Sequence, residues 1–153
     1  MENIRAGFLS EHESLTKFQI ECLKMIVKSS KEADHVVCHT DEVGVAEWLV
    51  PLAIEADLTI IAYPPYDKTT DGFVSTFSIP YYNNYLLSPS KTHILDLIAD
   101  CDIVFIFYNS EYGPPEVEYY VGEEAQKEII LINEVGKVDR QGTQFSDQFD
   151  PLN

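Results

Sequence analysis

The sequence is poor in basic residues, with 10 Lys and Arg against 26 Asp and Glu in 153 residues, a formal net charge of −16. Proteins that bind nucleic acids use Lys and Arg to replace the counterions of the phosphates, so this balance argues against a nucleic-acid partner. Between Glu32 and Asp67 there are eight acidic residues and no Lys or Arg. A phosphate bound there would depend on main-chain N–H groups and a helix dipole.

Long hydrophobic runs and cofactor motifs are also missing. No apolar stretch approaches the roughly 20 residues that cross a bilayer, and the first residues do not resemble a signal peptide. We therefore expect a cytoplasmic protein with no membrane partner. The three cysteines, Cys22, Cys38 and Cys101, lack metal-ligand spacing, so we expect buried, reduced thiols and no metal site. No Gly-x-Gly-x-x-Gly or Walker motif is present, and no cofactor is predicted.

What the sequence does contain is an alternation of apolar runs with segments of helical periodicity. Five runs indicate strands, at residues 4–8, 35–38, 58–63, 103–108 and 129–132. Repeated strand–helix units imply right-handed crossovers and one mostly parallel sheet. We predict a Rossmann-like three-layer α/β domain with five strands over residues 1–133, followed by a polar C-terminal tail over residues 134–153.

Helix positions can be predicted in more detail. Thr16 and Gln19 have the spacing of a capping box, which places a helix start at this point. The apolar face of that helix is predicted at Phe18, Cys22, Met25 and Ile26. Further helices are expected after Gly44, after Pro89 and over residues 117–125. The irregular stretch 64–88 is long for a compact domain, which is typical of a functional loop.

A polar turn at residues 39–44, His-Thr-Asp-Glu-Val-Gly, separates the second strand from a helix. Open α/β sheets bind ligands at such turns, because strand carboxyl ends and helix N–H groups converge there. Asp41 either contacts a ligand or caps the helix. His39 either donates a hydrogen bond to a phosphate or ribose or is a structural histidine at the end of the strand.

From Gly7 to about Asn133 the order of motifs resembles the SLOG superfamily, Rossmann-like domains related to Lonely Guy phosphoribohydrolases and SMF/DprA proteins. Residues 39–44 resemble the family's His-Gly-Asp-x-x-Gly. Residues 63–65, Tyr-Pro-Pro, are similar to its His-Pro-Pro. The strand from Asp102 to Phe107, followed by Gly113, resembles the family's Asp-led fourth strand and the Gly-Thr turn after it. Gly7 stands at its first turn, without the Arg that the family has there. The residues that contact phosphate in the family are the ones most altered here.

The resemblance implies a nucleotide or nucleotide-derived ligand at the carboxyl ends of the first, second and fourth strands. The ligand-binding residues are then expected to be Gly7, Ser10, His39, Asp41, Gly44, Pro64, Asn109, Ser110 and Gly113. Main-chain N–H groups at Gly44 and Gly113 would approach phosphate. Members of this fold class often self-associate, so a homodimer is also expected by analogy.

Catalysis is a second hypothesis that the resemblance raises. Phosphoribohydrolases and deoxyribosyltransferases use a carboxylate near the anomeric carbon to cut an N-glycosidic bond. In those families this Glu comes four residues after the turn Gly, where this chain has Val117. Glu116 and Glu118 flank that position, so Glu116 or Glu118 would be the catalytic carboxylate. Asp41 or Glu42 would then be a general base, and Tyr63 or Tyr66 a proton donor. A third hypothesis is an acidic protein-interaction domain that has lost its ligand.

Overall fold

The computed structural model describes residues 3–11, 15–40, 42, 44–63, 66–67, 72–73, 93–113 and 127–141. Within them the strands are β1 (Arg5–Ser10), β2 (Val36–His39), β3 (Ile60–Ala62), β4 (Tyr66–Asp67), β5 (Gly72–Phe73), β6 (Ile103–Phe107), β7 (Glu128–Ile132) and β8 (Val138–Gln141). The helices are α1 (Lys17–Glu32), α2 (Val45–Glu55) and α3 (His93–Asp100), with a short 3₁₀ helix at Ser110–Tyr112. The predicted helix over residues 117–125 lies outside the described residues.

One six-stranded sheet, in the order β3-β2-β1-β6-β7-β8, organises the fold. Its first five members in that order are parallel, and β8 pairs antiparallel with β7. The predicted Rossmann-like α/β class with a mostly parallel sheet is confirmed. The predicted count of five strands is wrong, because residues 138–141, Val-Asp-Arg-Gln, form a sixth strand beyond the predicted domain boundary at 133. This strand is polar, and an apolar pattern does not reveal it.

Alternating side chains of the strands divide the core into two layers. On one face, α1 and α2 pack against a cluster that includes Phe8, Phe105 and Ile130. On the other face, Leu97 and Ile98 of α3 pack against Leu9, Val104 and their neighbours. The chain winds outward from β1 to β3, then returns to the other side of β1, and right-handed crossovers place the two sets of helices on opposite faces.

The α1 helix begins at its predicted cap, but only part of its predicted apolar face packs against the sheet. Thr16 and Gln19 form the capping box, with the Gln19 N–H donating to Thr16 Oγ1 at 3.2 Å and the Thr16 N–H to Gln19 Oε1 at 3.0 Å. Phe18 and Met25, predicted to be in the core, are about half exposed. The buried residues are Gln19, Leu23, Ile26, Val27 and Ser30. Ile26 lies on the predicted face, and Cys22 is partly buried against the same cluster. Because two of the buried residues are polar, apolar periodicity alone does not identify the whole buried face.

The three cysteines are free thiols, as expected. Cys38 and Cys101 are fully buried, and Cys22 is partly buried. A hydrogen bond with Cys38, together with burial, raises the pKa of Cys101 well above its ordinary value. A thiol that stays protonated is a poor nucleophile, so Cys101 belongs to the packing of the core.

Candidate functional site

The strand order reverses between β1 and β6, and this reversal defines the candidate site. Ser10 and Phe107, the last residues of the two strands, are register partners, and the Glu11 N–H donates to the Phe107 carbonyl at 2.9 Å. Because β2 is parallel to β1, its end at His39 lies at the same edge. In doubly wound sheets, ligands bind outside the carboxyl ends of the strands at such a reversal.

Ser10 connects the end of β1 to the beginning of α2. Its Oγ accepts a hydrogen bond from the Val45 N–H at 3.2 Å. Gly44 is the N-cap of α2 with φ of 123°, a conformation that favours glycine, and it has no side chain that could cap the helix. The hydroxyl of the neighbouring strand therefore supplies the cap. The structure thus places Ser10 next to the start of α2 at Gly44.

Glu42 and His93 form a contact that sequence reasoning missed. His93 Nε2 lies 2.9 Å from Glu42 Oε1, so the turn after β2 is joined to the start of α3. Burial opposes ionisation of Glu42, but the hydrogen bond and charge of His93 and the Thr40 hydroxyl together lower its pKa below the ordinary value. Fifty-one residues separate the partners, and no local pattern marks the pair.

Two predicted ligand residues lie within the scaffold instead. His39 is fully buried, and burial lowers its pKa to about 3, so the imidazole is neutral. This burial favours the structural alternative for His39. Gly7 was predicted to lie in the turn at the end of the first strand. It lies inside β1 instead, three residues before the end of that strand. A Cβ at this position would lie 2.6 Å from Leu97 Cδ2 and 3.0 Å from Cys101 Sγ, so Gly7 permits close packing of α3.

The loop after β6 contains Asn109, Ser110 and Gly113. Asn109 Oδ1 accepts a hydrogen bond from the Glu111 N–H at 2.9 Å and caps the 3₁₀ helix. Gly113 ends that helix with φ of 98° and donates its N–H to the Ser110 carbonyl at 3.1 Å. All three residues follow β6 at the predicted edge, in a tight turn with satisfied caps.

Glu134, in the turn between β7 and β8, is hydrogen-bonded to Ser110. The Ser110 N–H donates to Glu134 Oε1 at 2.8 Å, and the Ser110 hydroxyl lies 2.7 and 2.6 Å from the two carboxylate oxygens. These hydrogen bonds lower the pKa of Glu134. The carboxylate therefore accepts hydrogen bonds from both donors of Ser110, a residue predicted to bind the ligand.

Gln19 fixes the other side of this loop. Its side-chain Nε2 donates to the carbonyls of Tyr108 at 2.8 Å and Ile132 at 3.2 Å, the residues at the ends of β6 and β7. The capping box marks the helix start in the sequence. It does not indicate that the same Gln anchors two strand ends, since that requires the tertiary fold.

Charges at this edge are mostly negative. Four glutamates follow the carboxyl ends of the strands: Glu11, Glu42, Glu111 and Glu134. Two lysines, Lys17 and Lys137, also lie there and are exposed, and the Lys17 ammonium lies 5.3 Å from the centre of the Phe18 ring. Acceptor-rich surroundings of this kind favour a ligand group that donates hydrogen bonds.

The remaining predicted site residues, Asp41, Pro64, Glu116 and Glu118, lie outside the described residues. Among those the structure does describe, no three His, Cys, Asp or Glu side chains are grouped as metal ligands would be. In that same part of the chain, no helix combines the length and hydropathy of a membrane span.

The fold is similar to that of the molybdenum cofactor binding protein from the phototrophic bacterium Rippkaea orientalis, with a TM-score of 0.64. The two chains are 17% identical, and the match covers 87% of this chain and 78% of the other. No protein-family model and no curated protein sequence matches the chain. At this level of identity, the similarity establishes a shared α/β fold.

Proposed function

We propose that this protein binds a nucleotide or nucleotide-derived small molecule at the carboxyl ends of β1, β2 and β6. The observation that carries the proposal is the reversal of strand order between β1 and β6, the position where doubly wound sheets hold their ligands. Among the described residues, Ser10, Gly44, Asn109, Ser110 and Gly113 would surround the ligand. We assign Gly7 and His39 to the scaffold beneath it.

Two further observations support a small-molecule ligand. The neighbour from Rippkaea orientalis, which has a similar fold, is a molybdenum cofactor binding protein. The order of motifs along this chain also resembles the SLOG superfamily, and we include membership of that superfamily in the proposal. The Ser10–Val45 hydrogen bond holds Ser10, at the end of β1, next to Gly44, in the turn after β2. Residues that contact one ligand must lie close together in this way.

Calorimetry with nucleosides, nucleotides and ADP-ribose derivatives tests the proposal. We expect heat of binding from at least one of them, and a weaker affinity in a Ser10→Ala variant. Ser29→Ala is the matched control, because Ser29 lies in the last turns of α1, away from the carboxyl edge. Uniformly absent heat would contradict the proposal. Elemental analysis for molybdenum and mass spectrometry of the denatured protein would reveal a co-purified cofactor of the neighbour's type.

The enzymatic and protein-interaction hypotheses stay predictions, because their residues lie outside the described part or their partner is undefined. An N-glycosidic activity of Glu116, Glu118 or Asp41 would release free base from nucleoside monophosphates or deoxynucleosides. An acidic interaction domain would bind a basic partner, and salt would weaken that binding. The homodimer and the cytoplasmic location are likewise proposals, tested by light scattering and by imaging of the tagged protein.

A further inference from the structure

The contact between Glu134 and Ser110 restricts what the proposed site can accept. Both donors of Ser110, its N–H and its hydroxyl, point to the Glu134 carboxylate at 2.6 to 2.8 Å. An ionised carboxylate is purely an acceptor of hydrogen bonds, and so are the oxygens of a fully ionised phosphate. A phosphate at this loop would meet an acceptor of like charge and would find these two donors already engaged.

The fold holds Glu134 in this position from the main chain. The Thr16 hydroxyl at the start of α1 donates to the Glu134 carbonyl at 2.7 Å. Asn133 Oδ1 accepts hydrogen bonds from the N–H groups of Val135 at 3.1 Å and Lys137 at 2.9 Å, which fixes the turn. The turn thus fixes the main chain of Glu134 beside the β6 loop, and the two donors of Ser110 hold its carboxylate there.

Resting on the proposed function, we propose that Glu134 is a specificity determinant that disfavours phosphate at the β6 loop and selects an unphosphorylated, nucleoside-like ligand. The hydroxyl groups of a ribose or the amino group of a base donate hydrogen bonds, which the carboxylate accepts.

The test compares adenosine with adenosine 5′-monophosphate by calorimetry on the full chain. The wild type should bind adenosine more tightly than the monophosphate. In a Glu134→Gln variant the ratio of the two Kd values should shift toward the monophosphate by about tenfold. Glu111→Gln is the matched control, since it removes an equal charge one residue from Ser110 and leaves the Ser110–Glu134 contact in place. Its ratio should stay within about twofold of the wild type.

The two possible failures are distinguishable. If neither compound nor any other member of the panel binds to the wild type, the proposed function is wrong and this inference falls with it. If the wild type binds the monophosphate more tightly, or if Glu134→Gln leaves the ratio unchanged, the site stands and the role of Glu134 is wrong. An equal shift in Glu111→Gln would show a general charge effect and would also overturn it. Circular dichroism of each variant verifies its folding.

Discussion

The connections that follow β2 and β6 lie at the same edge of the sheet but satisfy their main-chain donors in different ways. After β2, the 11-residue helix α2 begins at Gly44, and its Val45 N–H meets the uncharged hydroxyl of Ser10. After β6, a three-residue 3₁₀ helix begins, and the Ser110 N–H meets the Glu134 carboxylate. The acceptor is thus a neutral hydroxyl in the first connection and an anionic carboxylate in the second.

This difference indicates how a ligand would be oriented. The first N–H groups of α2, near Gly44, are suited to a ligand group that accepts hydrogen bonds. The side chain of Glu42, two residues before Gly44, is hydrogen-bonded to His93 and Thr40. The β6 loop already contains a carboxylate and is suited to a donor group. The predictions below test the two sides separately, in order of decreasing effect.

Replacement of Gln19 should disrupt the β6 side and leave the β2 side intact. Gln19→Ala removes the donor to two buried carbonyls and creates a cavity, so we expect a loss of about 2–4 kcal/mol in the free energy of unfolding. Urea denaturation measures this loss. In this variant, amide hydrogen exchange should become faster than in the wild type in the loop after β6, and should change less in the turn after β2. Lys28→Ala, on the exposed side of α1, should change stability by less than about 0.5 kcal/mol.

Gln19→Glu sharpens this test, because Glu keeps an acceptor for the Thr16 N–H but cannot donate to the Tyr108 and Ile132 carbonyls when ionised. It should lose at least as much stability as the Ala variant. Wild-type stability in Gln19→Glu would show that the two donated hydrogen bonds contribute nothing.

The buried His39, at the end of β2, should make the free energy of unfolding depend on pH. Burial lowers its folded pKa to about 3, whereas the unfolded value is about 6.5, so the unfolded state takes up a proton first as the pH falls. Stability is therefore lost as the pH drops below 6.5, by about 2 kcal/mol between pH 7 and pH 5. Denaturation curves at both pH values, with His39→Gln, measure this slope.

The slope should be flatter in His39→Gln than in the wild type. Burial also lowers the pKa of His35, so His35→Gln is the matched comparison and should flatten the slope less. An NMR titration that gives His39 an ordinary pKa would refute the prediction.

Ser10→Ala should have a moderate effect that is confined to the start of α2. Removal of the hydroxyl that caps the Val45 N–H should cost about 1 kcal/mol, as for other lost helix caps. The Val45 amide should then exchange faster with solvent. Ser29→Ala should leave this amide unchanged, and an unaltered Val45 amide in Ser10→Ala would mean that the cap is not formed.

Ser110→Ala should have the smallest effect on stability, because the contact with Glu134 is exposed to solvent. We expect the Tm to change by less than about 2 °C. The Ser110 hydroxyl and N–H both lower the pKa of Glu134, so removal of the hydroxyl alone should raise that pKa part of the way toward its ordinary value. An NMR titration of the Glu134 carboxyl measures the change, and an unshifted titration curve would show that the hydroxyl contact is not made in solution.

Local signals in the sequence predicted the elements well and their contacts poorly. The Thr16–Gln19 capping box marks the start of α1, since a cap depends on residues three positions apart. Apolar runs marked the parallel strands that are buried on both faces, but β8 was missed because three of its four residues are polar and carry little hydrophobic signal. The buried face of α1 was predicted only in part, because the buried Gln19, whose side chain bonds to distant carbonyls, carries no apolar signal.

The candidate site shows the same division between local and distant information. The turns that contain Gly44 and Gly113 could be placed at strand ends from the sequence. Their positions identify residues that line the carboxyl edge of the sheet. The partners Ser10–Val45, Glu42–His93 and Ser110–Glu134 are separated by 35, 51 and 24 residues. Contacts over such distances depend on strand order, which periodicity does not encode.

The sequence by itself determined the α/β class, the parallel core and the excess of negative charge, because these follow from local periodicity and composition. Only the tertiary structure decided which side chains meet at the carboxyl edge and which donors are already satisfied there. The physical reason is that a hydrogen bond between two strand ends forms only after the sheet has aligned them. The charge that a ligand meets at the β6 loop is therefore a property of the fold.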